Sequence, residues 1–262
     1  MRLVTLIILF IGLGFSVKAT SSVDQYYSVI DRTIPGSLGR QLHQLIKKQR
    51  YISYKSIWGF LDVAHQSDSN SVILFYTRRI VPKADKASGN DQANNNFWNR
   101  EHIWPQSKGL KGNEARRDLH NIVPADRSVN SSRGNKYFDN GGRPHNECRG
   151  CLFDNDSWEP PDEVKGDIAR IVFYMDLRYN GDDFTNTPDL VAIDGNGSDK
   201  RYLTGLSTLL KWHCGDPVDD TERTRNDVVQ QYQGNRNPFV DRPAWVRHVL
   251  SLIHISEPTR PY

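Results

Sequence analysis

The chain has 262 residues, 37% of them hydrophobic and 25% charged. That length suits one large domain, and the apolar content is too high for a disordered chain. Setting aside Arg2 and Lys18, which fall in the leader described next, leaves 32 of the 34 basic residues against 31 acidic ones, a net charge of only +1. Overall charge therefore singles out no polyanionic partner, and any phosphate-binding surface has to be a local patch.

Residues 1–19 read as a secretory signal peptide. Arg2 opens it, Leu3 to Val17 is an almost unbroken apolar run, and Val17-Lys18-Ala19 is a small-residue cleavage site. Cleavage is expected after Ala19. The rival reading is a membrane anchor, but a run of about fifteen residues is shorter than the roughly 20 a spanning helix needs. No later segment is apolar enough to span a bilayer, so no membrane association is expected once the leader is removed.

Residues 20–65 read as helical, with Leu38, Leu42, Leu45 and Ile46 at helical spacing and a second helix from Ser53 to Asp62. Ser71 to Thr77 is a β-type run that Arg78 to Val81 can extend. Residues 84–96 are polar and read as a loop. Phe97 to Trp104 and His120 to Val123 read as strands stopped by Pro105 and Pro124. Asp126 or Ser128 can cap a helix that contains Asn130 and Arg133. Residues 139–160 are rich in Gly, Asn, Asp and Pro and show no periodicity. Three further helices are predicted. Glu163 to Tyr179 places Val164, Ile168, Ile171, Val172 and Met175 on one face. Tyr202 to Trp212 carries Leu203, Leu206, Leu209 and Leu210. Asp216 to Tyr232 has Pro217 in its first turn. Residues 233–238 form a loop. Residues 251–262 do not continue the preceding pattern and read as a non-native tail, with a short native C-terminus missing.

The chemistry concentrates in Asn99-Arg100-Glu101-His102-Ile103-Trp104-Pro105, Asp118-Leu119-His120-Asn121-Ile122-Val123-Pro124 and Val129-Asn130-Ser131-Ser132-Arg133. A carboxylate, two imidazoles, several carboxamides and a local run of arginines are what a hard metal ion and a phosphodiester require. Of the three cysteines, Cys148, Cys151 and Cys214, a secreted chain is expected to pair two. Cys148 with Cys151, or Cys214 with either, are both open. So is a zinc site using all three with His213 or His145. Asn130-Ser131-Ser132 also spells a glycosylation sequon, which the chemistry around it makes accidental.

These segments resemble the bacterial endonuclease I family of secreted or periplasmic nucleases, within the wider ββα-metal (His-Me finger) group. Four ordered blocks carry the resemblance: Arg100-Glu101-His102 with Trp104-Pro105; Asp118-Leu119-His120-Asn121 through Asn130; Trp158-Glu159-Pro160-Pro161 through Arg178-Tyr179; and Trp212-His213 through Gln233-Gly234-Asn235-Arg236-Asn237-Pro238. The resemblance implies an α+β fold, a mainly helical single domain over residues 20–250 around a ββα-metal core. It implies His102 as general base, and Glu101 and Asn130 as ligands of Mg2+, with Mn2+ or Ca2+ able to substitute. Arg100, Arg117 and Arg133 would grip phosphates, and His120 and Asn121 would orient the strands behind the site. The implied substrate is DNA, with RNA as a second, cut with little sequence specificity to leave 5′-phosphates, outside the cell or in the periplasm. No obligate protein partner is evident. Some members carry an acidic residue at the position of Arg116, with Glu114 out of register, so metal affinity is where this chain would differ. Two other classes remain: a nucleic-acid-binding protein of the same fold without turnover, and a zinc-stabilised extracellular scaffold.

Because successive strand side chains alternate faces, Glu101 and His102 can share a site only if the strand bends or ends there.

Overall fold

A computed structural model describes residues 22–87, 97–181, 188–195 and 201–250. The leader 1–19, the tail 251–262 and most of the 84–96 loop lie outside the described residues. In chain order the helices are α1 (Ser22–Tyr26), α2 (Leu38–Ile46), α3 (Ile57–Ala64), α4 (Arg127–Arg133), α5 (Lys165–Arg178), α6 (Leu206–Gly215), α7 (Asp220–Gln233) and α8 (Pro238–Asp241). The strands are β1 (Ser71–Ile73), β2 (Ile80–Pro82), β3 (Trp98–His102), β4 (Ile122–Asp126), β5 (Tyr137–Phe138), β6 (Arg143–Pro144), β7 (Leu152–Phe153), β8 (Ser157–Glu159), β9 (Val191–Ile193) and β10 (Tyr202–Thr204). Mixed helices and small sheets agree with the α+β expectation.

The central element is α5. Nearly all of it is buried, Arg170, Asp176 and Arg178 included, as befits a helix surrounded by others. It packs against α2, α6 and α8. Ile168, Val172, Phe173 and Met175 join Trp104, Val123, Val129 and Phe239 in the larger core. A smaller core joins Ile57, Phe60 and Leu61 of α3 to Trp98, Leu119, Ile122 and Val229. Between these two cores lies the antiparallel pair β3–β4, in register from Trp98↔Asp126 to His102↔Ile122. Helix α4 follows β4 directly, so strand, strand and helix form one local unit.

Several elements differ from expectation. The run 71–81 is a hairpin, β1 against β2, turning through Arg78 at φ 57°. β4 begins at Ile122, after a 3-10 turn over Leu119–Asn121, and runs through Pro124. Proline is tolerated because β4 has a strand on one side only. Residues 137–159 hold a four-stranded sheet in the order β5-β8-β7-β6. Tyr202–Thr204 is a strand paired parallel to β9, not the first turn of a helix. Gly205 separates it from α6 at φ 112°, where an added Cβ would lie 2.3 Å from the Phe138 carbonyl oxygen. Helix α7 starts at Asp220, capped by the Asp219 carboxylate on the Glu222 amide, so Pro217 lies outside it. Asp126 precedes α4 but makes no capping bond; it accepts from Thr77 Oγ1 at 2.5 Å instead.

Candidate active site

β3 ends at His102, and this resolves the alternation problem. Glu101 and His102 are both buried, yet both line one cleft of about 360 Å³ with Asn99, Gln106, Asn130 and Asn135. Arg100 lines it too.

The Glu101 carboxylate is held from three sides. Oε1 accepts from the Tyr76 hydroxyl at 2.8 Å and from Arg133 at 3.1 Å, and Oε2 accepts from the His102 amide at 3.0 Å. Burial pushes its pKa up, and the Arg133 charge, the Tyr76 bond and the His102 amide oppose that shift.

His102 Nε2 lies 3.0 Å from the Arg116 carbonyl oxygen. A carbonyl can only accept, so Nε2 carries the hydrogen and Nδ1 keeps the lone pair. Gln106 Nε2 sits 3.3 Å from Nδ1, and the Tyr54 ring lies nearly parallel to the imidazole, 6.2 Å away. Burial brings the His102 pKa down to about 4. Arg100, Arg116 and Arg133 add to the fall and the Arg116 carbonyl opposes it. The ring is therefore neutral at pH 7.

Asn130, on α4, donates from Nδ2 to Asn99 Oδ1 at 2.7 Å and to the Arg100 carbonyl at 3.4 Å. Both partners accept, which leaves Asn130 Oδ1 as the carboxamide's uncommitted acceptor.

The arginines divide. Arg133, expected to grip phosphate, is fully buried. Its guanidinium is spent on Glu101 and on the carbonyls of His102 and Ile103, at 2.9 and 2.6 Å. It braces the Glu101 carboxylate and is not among the residues that line the cleft. Arg117 is half-buried, pairs with Glu114 at 2.5 Å and is not among the cleft residues. Arg100 is half-buried, with Nη1 on the Tyr54 carbonyl at 2.6 Å.

His120 and Asn121 lie behind the cleft. The Asn121 carboxamide exchanges two bonds with the Trp104 backbone, at 2.7 and 3.1 Å, and so ties the end of β3 to the start of β4. The His120 ring packs on Tyr174 at 4.3 Å, and burial lowers its pKa to about 4. Beside them Asp118 collects donors from distant segments. Oδ2 accepts from Gln49, Tyr174 and Tyr179, and Oδ1 from the Gln233 carboxamide and the His120 amide.

Residues 36–244 match the Endonuclease I family. The chain belongs to that family. It is 42% identical to an extracellular ribonuclease of Bacillus subtilis over 87% of this chain and 79% of the relative. It is 40% identical to an extracellular ribonuclease of Bacillus amyloliquefaciens over 89% and 80%. A shorter match, 32% identical over 50% of this chain and 52% of the relative, is to an extracellular deoxyribonuclease of Aeromonas hydrophila.

In this Endonuclease I chain the cleft offers hard oxygen donors, one carboxylate with neighbouring carboxamides. Among the described residues no group of three His, Cys, Asp or Glu could hold a metal. Such a set fits an oxygen-seeking cation that keeps several waters, of the Mg2+ kind, and does not fit zinc. The zinc alternative fails on the cysteines as well. Cys148 and Cys151 form a disulfide and Cys214 is exposed and free, so three thiolates are not to be had.

Tyr76 and Gln106 were not singled out by sequence reasoning, and Asn99 and Asp118 were quoted in the motif segments without a role. Asn99 and Gln106 flank the Glu-His pair closely enough for proximity to have flagged them. Tyr76 and Asp118 act through contacts that local pattern does not display.

Proposed function

We propose that this Endonuclease I chain is an extracellular, metal-dependent endonuclease that hydrolyses nucleic-acid phosphodiester bonds with little sequence selectivity and leaves 5′-phosphates. The observation that carries the proposal is the fixed tautomer of His102, whose Nδ1 lone pair shares a cleft with Glu101 and Asn130. The site's strand–strand–helix unit is what a ββα-metal core would look like. The relatives' extracellular names and the leader-like residues 1–19 support a destination outside the cytoplasm. Among the described residues no helix is long and apolar enough to cross a membrane.

Glu101 and Asn130 Oδ1 would hold the cation, which when bound neutralises charge on the scissile phosphate and on the departing oxygen. His102 Nδ1 takes a proton from water, and the resulting hydroxide attacks phosphorus in line. The P–O3′ bond breaks, the 3′-oxygen takes a proton from solvent, and the phosphate stays on the 5′ side. Gln106, beside Nδ1, helps seat the attacking water. Arg133 and Tyr76 hold Glu101 in place, and Arg100 faces the substrate phosphates.

The two Bacillus relatives carry ribonuclease names, and the Aeromonas relative, matched over about half its length, a deoxyribonuclease name. RNA thus stands beside DNA as substrate, and ahead of it. The test is digestion of end-labelled RNA and of supercoiled plasmid with Mg2+ and with EDTA, followed by end analysis. Mg2+-dependent cleavage to 5′-phosphate ends is expected. Cyclic 2′,3′-phosphate ends from RNA, or cleavage that persists in EDTA, would overturn the mechanism. Intact substrates with folded protein and Mg2+, Mn2+ and Ca2+ in turn would return the reading to binding without turnover.

A further inference from the structure

Beside the cleft, positive charge is concentrated without the usual counter-charge: Arg100 lines the cleft, and Arg116, outside the lining, reaches it through Tyr54 and the His102 ring. Arg117 is matched by Glu114, and Arg133 is buried on Glu101. Arg100 and Arg116 differ. Both are half-buried, and among the described residues neither pairs with a carboxylate.

Aromatic rings hold them instead. The Arg100 guanidinium carbon lies 3.8 Å from the centre of the Tyr54 ring and 4.3 Å from that of Trp58. The Arg116 guanidinium carbon lies 4.6 Å from the same Tyr54 ring. Two like charges thus share one ring, and Tyr54 in turn lies alongside His102. A guanidinium over a ring face keeps its charge and can still donate from its N–H edges, although Arg100 already commits Nη1 to the Tyr54 carbonyl. Like charges held together cost free energy in the unliganded protein, and that cost is relieved by an anion between them.

We propose that Arg100 and Arg116, held by Tyr54 and Trp58, form a two-guanidinium clamp for a substrate phosphate next to the scissile one. The clamp rests on the nuclease reading and adds Arg116, Tyr54 and Trp58 to it. It also gives a role to Arg116, which stands where some family members carry an acidic residue. The Arg116 carbonyl fixes the His102 tautomer while its side chain reaches for substrate, so one residue links the base to the strand being cut.

The experiment measures binding of a fluorescein-labelled oligoribonucleotide of about 12 nucleotides to the full chain in EDTA, by anisotropy across a salt series. Arg116→Gln and Arg116→Glu are compared with wild type and with the charge-keeping Arg116→Lys. Each phosphate contact on a single strand contributes about 0.7 to the slope of log K against log salt. Arg116→Gln is expected to reduce the slope by about that amount and to weaken binding on the order of tenfold. Arg116→Glu should weaken it further, and Arg116→Lys should restore most of the slope. With Mg2+ present, the loss should fall on KM more than on kcat. An unchanged slope in Arg116→Gln overturns the clamp, as does a wild type that cleaves RNA but shows no salt-dependent binding in EDTA. A wild type that binds with the expected slope yet cleaves nothing in any divalent metal leaves the clamp standing and removes the nuclease reading.

Discussion

Arg133 and Glu101 meet at 3.1 Å with both side chains withdrawn from solvent. Glu101 lines the cleft and Arg133 does not, so an arginine expected to grip phosphate is instead bonded within the protein. Arg133→Met would remove the guanidinium that lies over the Phe138 ring and leave the Glu101 carboxylate without its cation. Breaking a buried pair from one side costs about 3–5 kcal/mol. Chemical unfolding of the variant should show a loss of that order. Unchanged stability with a raised KM would mean that Arg133 reaches substrate after all.

Tyr76 donates to the same carboxylate oxygen. Tyr76→Phe removes the hydroxyl and little volume, and should cost about 1 kcal/mol of stability. Partners of a metal-binding carboxylate typically weaken affinity by about 10- to 100-fold when lost. The Mg2+ concentration for half-maximal cleavage should therefore rise by at least about tenfold, and saturating Mg2+ should recover much of the rate. A metal titration that superimposes on wild type would detach Tyr76 from the metal site.

His102→Ala removes the only lone pair assigned to proton transfer, a contribution typically worth about 10²- to 10⁴-fold. The ring's single strong bond is to the Arg116 carbonyl, so the folded state should survive with a loss of about 1 kcal/mol. Activity near wild type in a variant with a normal unfolding transition would end the general-base assignment.

His65 gives a pH signature unrelated to catalysis. It is buried, and its Nε2 faces Arg225 Nε at 3.3 Å, an arrangement that suits only the neutral ring. Burial, then the charges of Arg225 and Arg78, hold its pKa well below 6.5. The unfolded chain binds a proton below about pH 6.5 that the folded chain refuses, so stability falls as pH drops through that value. The loss approaches about 1.4 kcal/mol per pH unit and continues down to the folded pKa. His65→Gln should be less stable at pH 7 but should lose stability less steeply between pH 6.5 and 5, measured by urea unfolding. Parallel pH profiles for the two proteins would show that His65 takes up its proton without cost.

The reach of sequence reasoning follows contact range. Glu101, His102 and Asn130 were legible because their chemistry is written in adjacent segments, and the structure brings them to one cleft. Asn121, expected to orient the strands, bonds the Trp104 backbone beyond the end of β3. Arg133 was misread because a charged side chain in a polar helix reads as surface; nothing nearby in sequence announces the carboxylate beneath it. Tyr76 and Asp118 gain their meaning from partners far along the chain. Strands β5 and β6 have only two residues each, too short for a period of two to register. Tyr202–Thr204 was absorbed into a helix because Leu203, Leu206, Leu209 and Leu210 satisfy helical spacing; only the left-handed turn at Gly205 breaks it.

Asp118 also has a bearing on what a shortened chain can be. Gln233 donates to Asp118 Oδ1 and accepts from the Leu119 amide, and Asn235 donates to the Tyr174 hydroxyl that itself bonds Asp118. A nascent or proteolysed chain that stops before Gln233 retains every residue that lines the cleft, Asn99 to Asn135. It lacks the Gln233 donor to the buried Asp118 carboxylate, the acceptor of the Leu119 amide and the Asn235 bond to Tyr174, and each such lost buried bond weighs on a marginally stable fold. Having the motif and having the site are therefore separate events in the life of the polypeptide, divided by the arrival of its C-terminal segment.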